Sequence, residues 1–241
     1  MKIVNATWEK ENIGAETVEI SIERKDDKRE VLNTLKDLRA EYMVVKVPSD
    51  YEMISFELSA LGYTFIETMN HISNDLHLKP LNEKKQKIVE NTEFLPMTDE
   101  DFAYMEQKIM KDLMFRTDRV ARDPAFSLEK ANQRYVNWLR SERGRGASFM
   151  KFVYQGKYIG FDCCREVEPG VYDDFISGIF TEYAGNGLSV NISHKLNDFV
   201  KQHGGSKIIT AVSSTNSRAL SHHINNGYVI DSSDYIWVKH L

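Results

Sequence analysis

The stretch Ile179-Phe180-Thr181-Glu182-Tyr183-Ala184-Gly185-Asn186-Gly187-Leu188 decides how this chain reads. Tyr172 to Phe180, leading into it, has the aromatic and β-branched content of a strand. Beyond it, Leu188, Ile192, Leu196 and Phe199 recur at helical spacing, down to a stop at His203-Gly204-Gly205. Strand, glycine turn and helix in immediate succession aim several unpaired backbone N–H groups and the positive end of a helix dipole at one point. That construction suits a pyrophosphate, and glycines at 185 and 187 let the backbone approach the phosphates closely. Gly-x-Gly alone is equally an ordinary turn, so its context matters. A strand from Lys207 to Val212 follows, then Asn216-Ser217-Arg218-Ala219-Leu220-Ser221-His222-His223-Ile224-Asn225-Asn226-Gly227-Tyr228, where Asn-x-x-Ala opens a short helix and Gly-Tyr closes it.

Upstream, strand and helix signals alternate. Val18, Ile20 and Ile22 alternate with polar residues as in a half-buried strand, and Val31, Leu35 and Leu38 recur at helical spacing. Met43-Val44-Val45 with Pro48, a helix through Ile54, Leu58 and Leu61, and a strand from Tyr63 to about His71 complete a small α/β unit. A proline and a charge run at 78–85 mark a seam. Past it, Ile88 to Phe94 reads as a strand, Asp99 to Phe115 and Leu128 to Arg140 as helices, and Phe149 to Arg165 as a hairpin turning at Gln155-Gly156-Lys157. No internal repeat is evident.

With 241 residues, 41% of them hydrophobic, the chain can bury one large core or two modest ones. A net charge of -5 without a basic stripe argues against nucleic acid. No apolar run approaches a membrane span, and Met1 to Asn5 has no signal-peptide core, so a soluble cytoplasmic protein is expected. Cys163 and Cys164 are adjacent and cannot staple distant segments, which points to a buried strand more than to a reactive thiol. No metal-ligand spacing is present.

The succession from Ile179 to Tyr228 resembles the second half of the GNAT superfamily of acetyl-CoA-dependent N-acetyltransferases. Within that superfamily the chain is most similar to the TDP-fucosamine acetyltransferases. Trp8 to Gly14, Val45-Lys46-Val47-Pro48, Leu61-Gly62-Tyr63, Phe115-Arg116, the Tyr135 and Trp138 pair, and Asp231 to Trp237 carry this likeness, which is diffuse outside the last sixty residues. It implies an α/β protein (α+β type) on a mixed, mainly antiparallel sheet with splayed central strands. A partly GNAT-like accessory domain is expected over 1–85 and a catalytic GNAT domain over 86–241. Direct transfer of an acetyl group from acetyl-CoA, as cosubstrate, to the amine of a nucleotide-linked amino sugar is the implied reaction. An amino acid, polyamine or peptide amine as acceptor, and a noncatalytic CoA-binding module, stay open, as does a homodimer.

By the same resemblance, the backbone of Ile179 and Phe180 would pair with the pantetheine arm. Gly185, Asn186, Gly187 and Leu188 would cradle the pyrophosphate, Asn216 would bind further along the coenzyme, and His222 would lie near a phosphate. Two departures stand out: Glu182 and Ala184 occupy places where the family carries Arg or Gln, and His223 occupies that of the tyrosine acid. An imidazolium at His223 could protonate the departing thiolate. A polar filler on a helix surface is the alternative for His223, and Tyr228 and Tyr235 are alternative acids. For a diphosphate-bearing acceptor, Arg116, Arg119 and Arg122 recur at intervals of three, and guanidinium forks suit a diphosphate as well as they suit a solvated loop.

Overall fold

In the computed structural model, which describes residues 1–241, all strands join one ten-stranded sheet. The first half runs β1 (Lys2–Asn5), α1 (Trp8–Ile13), β2 (Thr17–Ser21), α2 (Lys28–Asp37), β3 (Tyr42–Pro48), α3 (Ser55–Ala60) and β4 (Thr64–Asn74). The connecting helix α4 (Glu83–Glu90) leads to β5 (Thr92–Pro96), α5 (Asp99–Asp112), α6 (Arg119–Arg122) and α7 (Leu128–Gly144). Then come β6 (Ser148–Tyr154), β7 (Lys157–Glu168), β8 (Val171–Ile179), α8 (Val190–Gln202), β9 (Lys207–Ser213), α9 (Ser217–Asn225) and β10 (Val229–His240). No helix is long and apolar enough to cross a membrane.

Across the sheet the order is β1-β2-β3-β10-β4-β9-β8-β7-β6-β5. The segments β2-α2-β3-α3-β4 and β8-α8-β9-α9-β10 trace the same path: two parallel strands joined through a helix, then a second helix and a third strand. Each third strand crosses to the other half. β4 runs antiparallel to β9, β10 runs antiparallel to β3, and the two pair with each other at the centre. The repeat that the sequence does not show is thus one of topology, and the sheet continues across the boundary expected at 85/86.

One helix ties the halves together on one face of the sheet. Ala131 of α7 packs with Ile13, Tyr42, Val44 and Val120, while Val136 and Leu139 of the same helix pack with Phe102, Met105, Phe149 and Phe161. Val136 and Leu139, fully buried, each contribute roughly 1.5–3 kcal/mol. On the opposite face, Leu196 and Val200 of α8 cover Ile72, Tyr172, Ile208 and Tyr228.

Local chemistry corrects two sequence expectations. Ile88 and Val89 are helical, because Asn82 caps α4 by accepting from the Lys85 N–H, and Glu83–Lys87 and Gln86–Glu90 pair one turn apart. α5 stops before Phe115, at Leu113, whose φ of +46° ends the helix in the left-handed region. Cys163 and Cys164 do lie on a buried strand, β7. Strand alternation sends their adjacent side chains to different cores on the two faces of the sheet, and burial pushes both thiols well up.

Candidate functional site

The parallel pair of the second half opens where that of the first half stays closed. β2 and β3 hold register over five residue pairs. β8 and β9 hold only Val171↔Lys207, Tyr172↔Ile208 and Asp173↔Ile209 before they part. The bulge in β8 between Asp174 and Ile176 lies at the vertex. Beyond it Ser177, Gly178 and Ile179 are half-buried and Ala211 is exposed, which leaves a wedge open between the strands.

The edge of β8 in that wedge is unpaired. The Phe180 N–H donates to the Ile159 carbonyl at 2.9 Å, so strand alternation turns the N–H and C=O of Ile179 away from β7 and toward the gap. Phe180 itself departs from the expectation. Its carbonyl accepts from the Tyr183 N–H, and its buried ring packs on Tyr104, Tyr158 and Phe161. Its backbone is therefore committed, and it anchors the turn that follows.

Gly185 (φ +83°) and Gly187 (φ +77°) shape that turn. The N–H groups of Gly185, Asn186, Gly187, Leu188 and Ser189 make no hydrogen bond within the protein, and no side chain caps α8. Five consecutive donors without a partner in the chain thus lead into the positive end of a 13-residue helix. Glu182 does not oppose them, since its carboxylate pairs with Lys108 at 2.7 Å. Asn216 caps α9 by accepting from the Ala219 N–H at 3.2 Å, which leaves its amide N–H₂ free.

The histidines sit deeper than the sequence suggests. Burial, with the His194 and Lys85 charges, holds His222 down to about 4, and its Nε2 meets the Ser193 hydroxyl at 3.0 Å. His222 borders a cavity of about 350 Å³ together with Lys79 and Lys85. Any positive charge there belongs to the lysines. Burial and the neighbouring His222 press His223 down to about 3. Its ring lies edge-on to Tyr228 at 4.8 Å, and Nδ1 has no partner. His223 is therefore neutral at physiological pH, and the expected imidazolium is replaced by a neutral ring. The Tyr228 hydroxyl is buried without a partner, and burial beside Asp174 and Asp162 pushes its ionisation well up. Tyr235 pairs with Val47 and Thr68 and packs on Phe65.

The three arginines do not converge. Arg116 folds back on the carbonyls of Leu113 and Asp112, Arg119 pairs with Glu9 and Glu19 at 2.7 Å each, and Arg122 is exposed without an ion pair. Arg119 is structural. Burial works against ionisation of Glu19, but the Arg119 and Lys46 charges outweigh it and hold the carboxyl at about 2. Arg134 also reaches Glu9 and Asp118, so the cluster spends its charge internally.

Instead, β4 brings polar groups from the first half to the face of the sheet covered by α6 and α7. Met69 packs in the core beneath α6 and α7, and alternation places Glu67 and His71 on the same face. His71 Nε2 meets Asp234 Oδ2 of β10 at 2.9 Å, and its register partner on β9 is the exposed Ala211. On β8 the matching face carries Gly178, where a Cβ would lie 3.3 Å from Met114 Cε. Sequence reading missed the His71–Asp234 pair because only the strand exchange joins residues 163 positions apart. The single acidic residue within an otherwise strand-like Ile66-Glu67-Thr68 was the available signal for Glu67.

No family model and no curated protein matches the chain. Solved structures do. A functionally unknown conserved protein from Staphylococcus epidermidis superposes with a TM-score of 0.61 at 9% identity, over 93% of this chain and 84% of that one. A GCN5-related N-acetyltransferase from Sphaerobacter thermophilus gives 0.59 at 12% identity, over 83% of this chain and 59% of that one. A tandem GNAT protein from the clavulanic acid biosynthesis pathway gives 0.58 at 13% identity, over 94% and 76%. At such identities the likeness is one of fold, and the fold is that of the GNAT acetyltransferases.

Proposed function

We propose that this chain is an acetyl-CoA-dependent N-acetyltransferase acting on the amine of a small molecule. The observation that carries the reading is the run of five unbonded N–H groups, from Gly185 to Ser189, beside a wedge whose β8 edge is unpaired. A ligand that bears a diphosphate and a chain of amides fits both features at once. Bound acetyl-CoA supplies an acyl group already activated as a thioester.

In this reading the Gly185–Ser189 amides hold the diphosphate, the Ile179 backbone pairs with the pantetheine amides, and the free Asn216 amide donates between them. His223, neutral, donates a ring N–H to the departing thiolate. Asp234 fixes the tautomer of His71 by accepting from Nε2, so that Nδ1 is available to take the proton shed by the acceptor amine. Direct attack needs positioning and no protein nucleophile, which agrees with the buried, unreactive state of Cys163 and Cys164.

For the acceptor, an amino sugar is the first class to test. A TDP-linked 4-amino sugar rests on the sequence resemblance alone, and the arginines offered for its diphosphate lie apart. Release of free thiol from acetyl-CoA, measured against TDP- and UDP-linked amino sugars, free amino sugars, amino acids and polyamines, tests the proposal. Release that depends on one amine class supports it. Coenzyme binding without release from any amine would make the chain a binding module, and absence of binding would remove the reading altogether.

A further inference from the structure

The dipeptide Asn-Gly occurs twice in the chain, at Asn186-Gly187 and at Asn226-Gly227. In this pairing an asparagine side chain is open to attack from its own backbone. The following N–H can close a five-membered ring on the carboxamide, and glycine has no Cβ to obstruct it. The fold treats the two copies differently. Asn226 ends α9 and is half-buried. Its amide donates to the His222 carbonyl at 2.7 Å, and the Gly227 N–H donates to the Ile224 carbonyl at 3.2 Å. Electrophile and nucleophile are thus each tied to the helix. Asn186 and Gly187 are both exposed, and the Gly187 N–H has no partner in the chain. The Asn186 amide keeps a single bond, to the Tyr183 carbonyl, at 3.4 Å. Just beyond, α8 begins at Val190 with no side-chain cap. Its positive end favours the negative charge that develops on the Gly187 nitrogen and on the carboxamide oxygen as the ring closes.

We propose that Asn186 is a site of self-modification. The Gly187 nitrogen bonds to Asn186 Cγ and its proton passes to water, while the Cγ–N bond of the carboxamide breaks and the amide leaves as ammonia. Water then adds to either carbonyl of the resulting succinimide and opens it to aspartate or isoaspartate, with no change of oxidation state. Both products place a carboxylate inside the run of N–H donors, and isoaspartate also lengthens the main chain there. Conversion therefore spoils the anion site at the glycine that shapes it. This consequence rests on the acetyltransferase reading above, because the group repelled is the coenzyme's diphosphate; the conversion itself does not.

The purified chain is aged in mildly alkaline buffer and sampled by peptide mapping, which follows both asparagines in the same protein. Asn186 is expected to convert about tenfold or more faster than Asn226, which must first give up two internal hydrogen bonds. The converted fraction is separated by ion exchange, checked for folding by its thermal melt, and titrated with CoA by calorimetry. It should bind about fivefold more weakly than the unconverted fraction, as a nearby like charge on an exposed turn allows. Asn186→Gln, whose longer side chain cannot close the five-membered ring, should keep through ageing whatever CoA affinity it has when fresh. Conversion at Asn226 as fast as at Asn186, or a converted fraction that binds CoA as tightly as the unconverted one, overturns the inference and leaves the acetyltransferase reading standing. Failure of the fresh chain to bind CoA removes that reading, and faster conversion at Asn186 then supports the modification site alone.

Discussion

Glu67→Gln offers the sharpest physical test of the buried carboxyl on β4. Glu67 is 2% exposed, and its Oε2 has no partner. Burial raises its carboxyl from 4.5 to about 7, with Asp118 adding to the rise and the Ser213 hydroxyl and Arg119 opposing it. The folded chain therefore holds this proton more tightly than the unfolded chain. The stabilisation is fully present below the unfolded value of 4.5 and is lost as pH rises through about 7. A rise of this size corresponds to about 3 kcal/mol. Glutamine mimics the protonated form at every pH. Wild type and variant should thus differ by a roughly constant amount near pH 4.5, and by about 3 kcal/mol more in favour of the variant at pH 9. For a chain of this length that is on the order of 6–12 °C in Tm. Urea unfolding of both proteins across this range reads the difference. Groups common to both cancel in it, including Glu19, whose lowered carboxyl contributes above its unfolded value and loses that contribution in acid. An unsatisfied amide N–H in the variant would shift the whole curve without tilting it. A difference that stays flat between pH 5 and 9 would refute the reasoning.

Other substitutions probe the remaining assignments. Arg119→Met removes one of two cations from each of Glu9 and Glu19, leaving Arg134 and Lys46, and should cost about 1–3 kcal/mol by chemical denaturation. Arg116→Ala and Arg122→Ala should stay within about 0.5 kcal/mol, with acceptor KM changed less than about twofold. The His223 ring should remain neutral by nitrogen NMR from pH 8 down to 5. His223→Phe should lower kcat by about 10²-fold without shifting the limbs of the pH–rate profile. His71→Gln should lower kcat by a similar ~10² factor while leaving acetyl-CoA affinity unchanged; an undiminished kcat excludes it as the base.

Most of the second half was legible because its signals are local. The strand, the paired glycines and the apolar stripe of α8 follow one another within one short stretch, and each has a physical cause that acts over a few residues. Legibility failed where the cause was distant. Leu188, Ile192, Leu196 and Phe199 announce a helix, but nothing in them says that His223 is buried beneath it and neutral. Arg116, Arg119 and Arg122 look alike in sequence. Only the fold gives one a helix end to cap, one two buried carboxylates to neutralise and one nothing but water. Ile88 and Val89 read as strand residues from their β-branched side chains, but the Asn82 cap and the pairs one turn apart in α4 outweigh that preference.

The exchange of third strands explains why the first half matters to the site. A GNAT-like second half built only from its own chain would need a partner for the outer edge of β9. Here β4 provides it from Asn74 to Met69, paired with Ile208 to Ser213. That pairing keeps β9 flat against the sheet on one side while it leaves β8 on the other, so the wedge is held open by a strand from the opposite half. The same strand carries Glu67 and His71 to one face of the sheet, and β10, which moves the other way, delivers Asp234 to His71. In the first half β2 and β3 remain zipped over all five pairs, and no second wedge forms. One of two topologically equal halves thus keeps the opening, and the other gives up its own and supplies the wall.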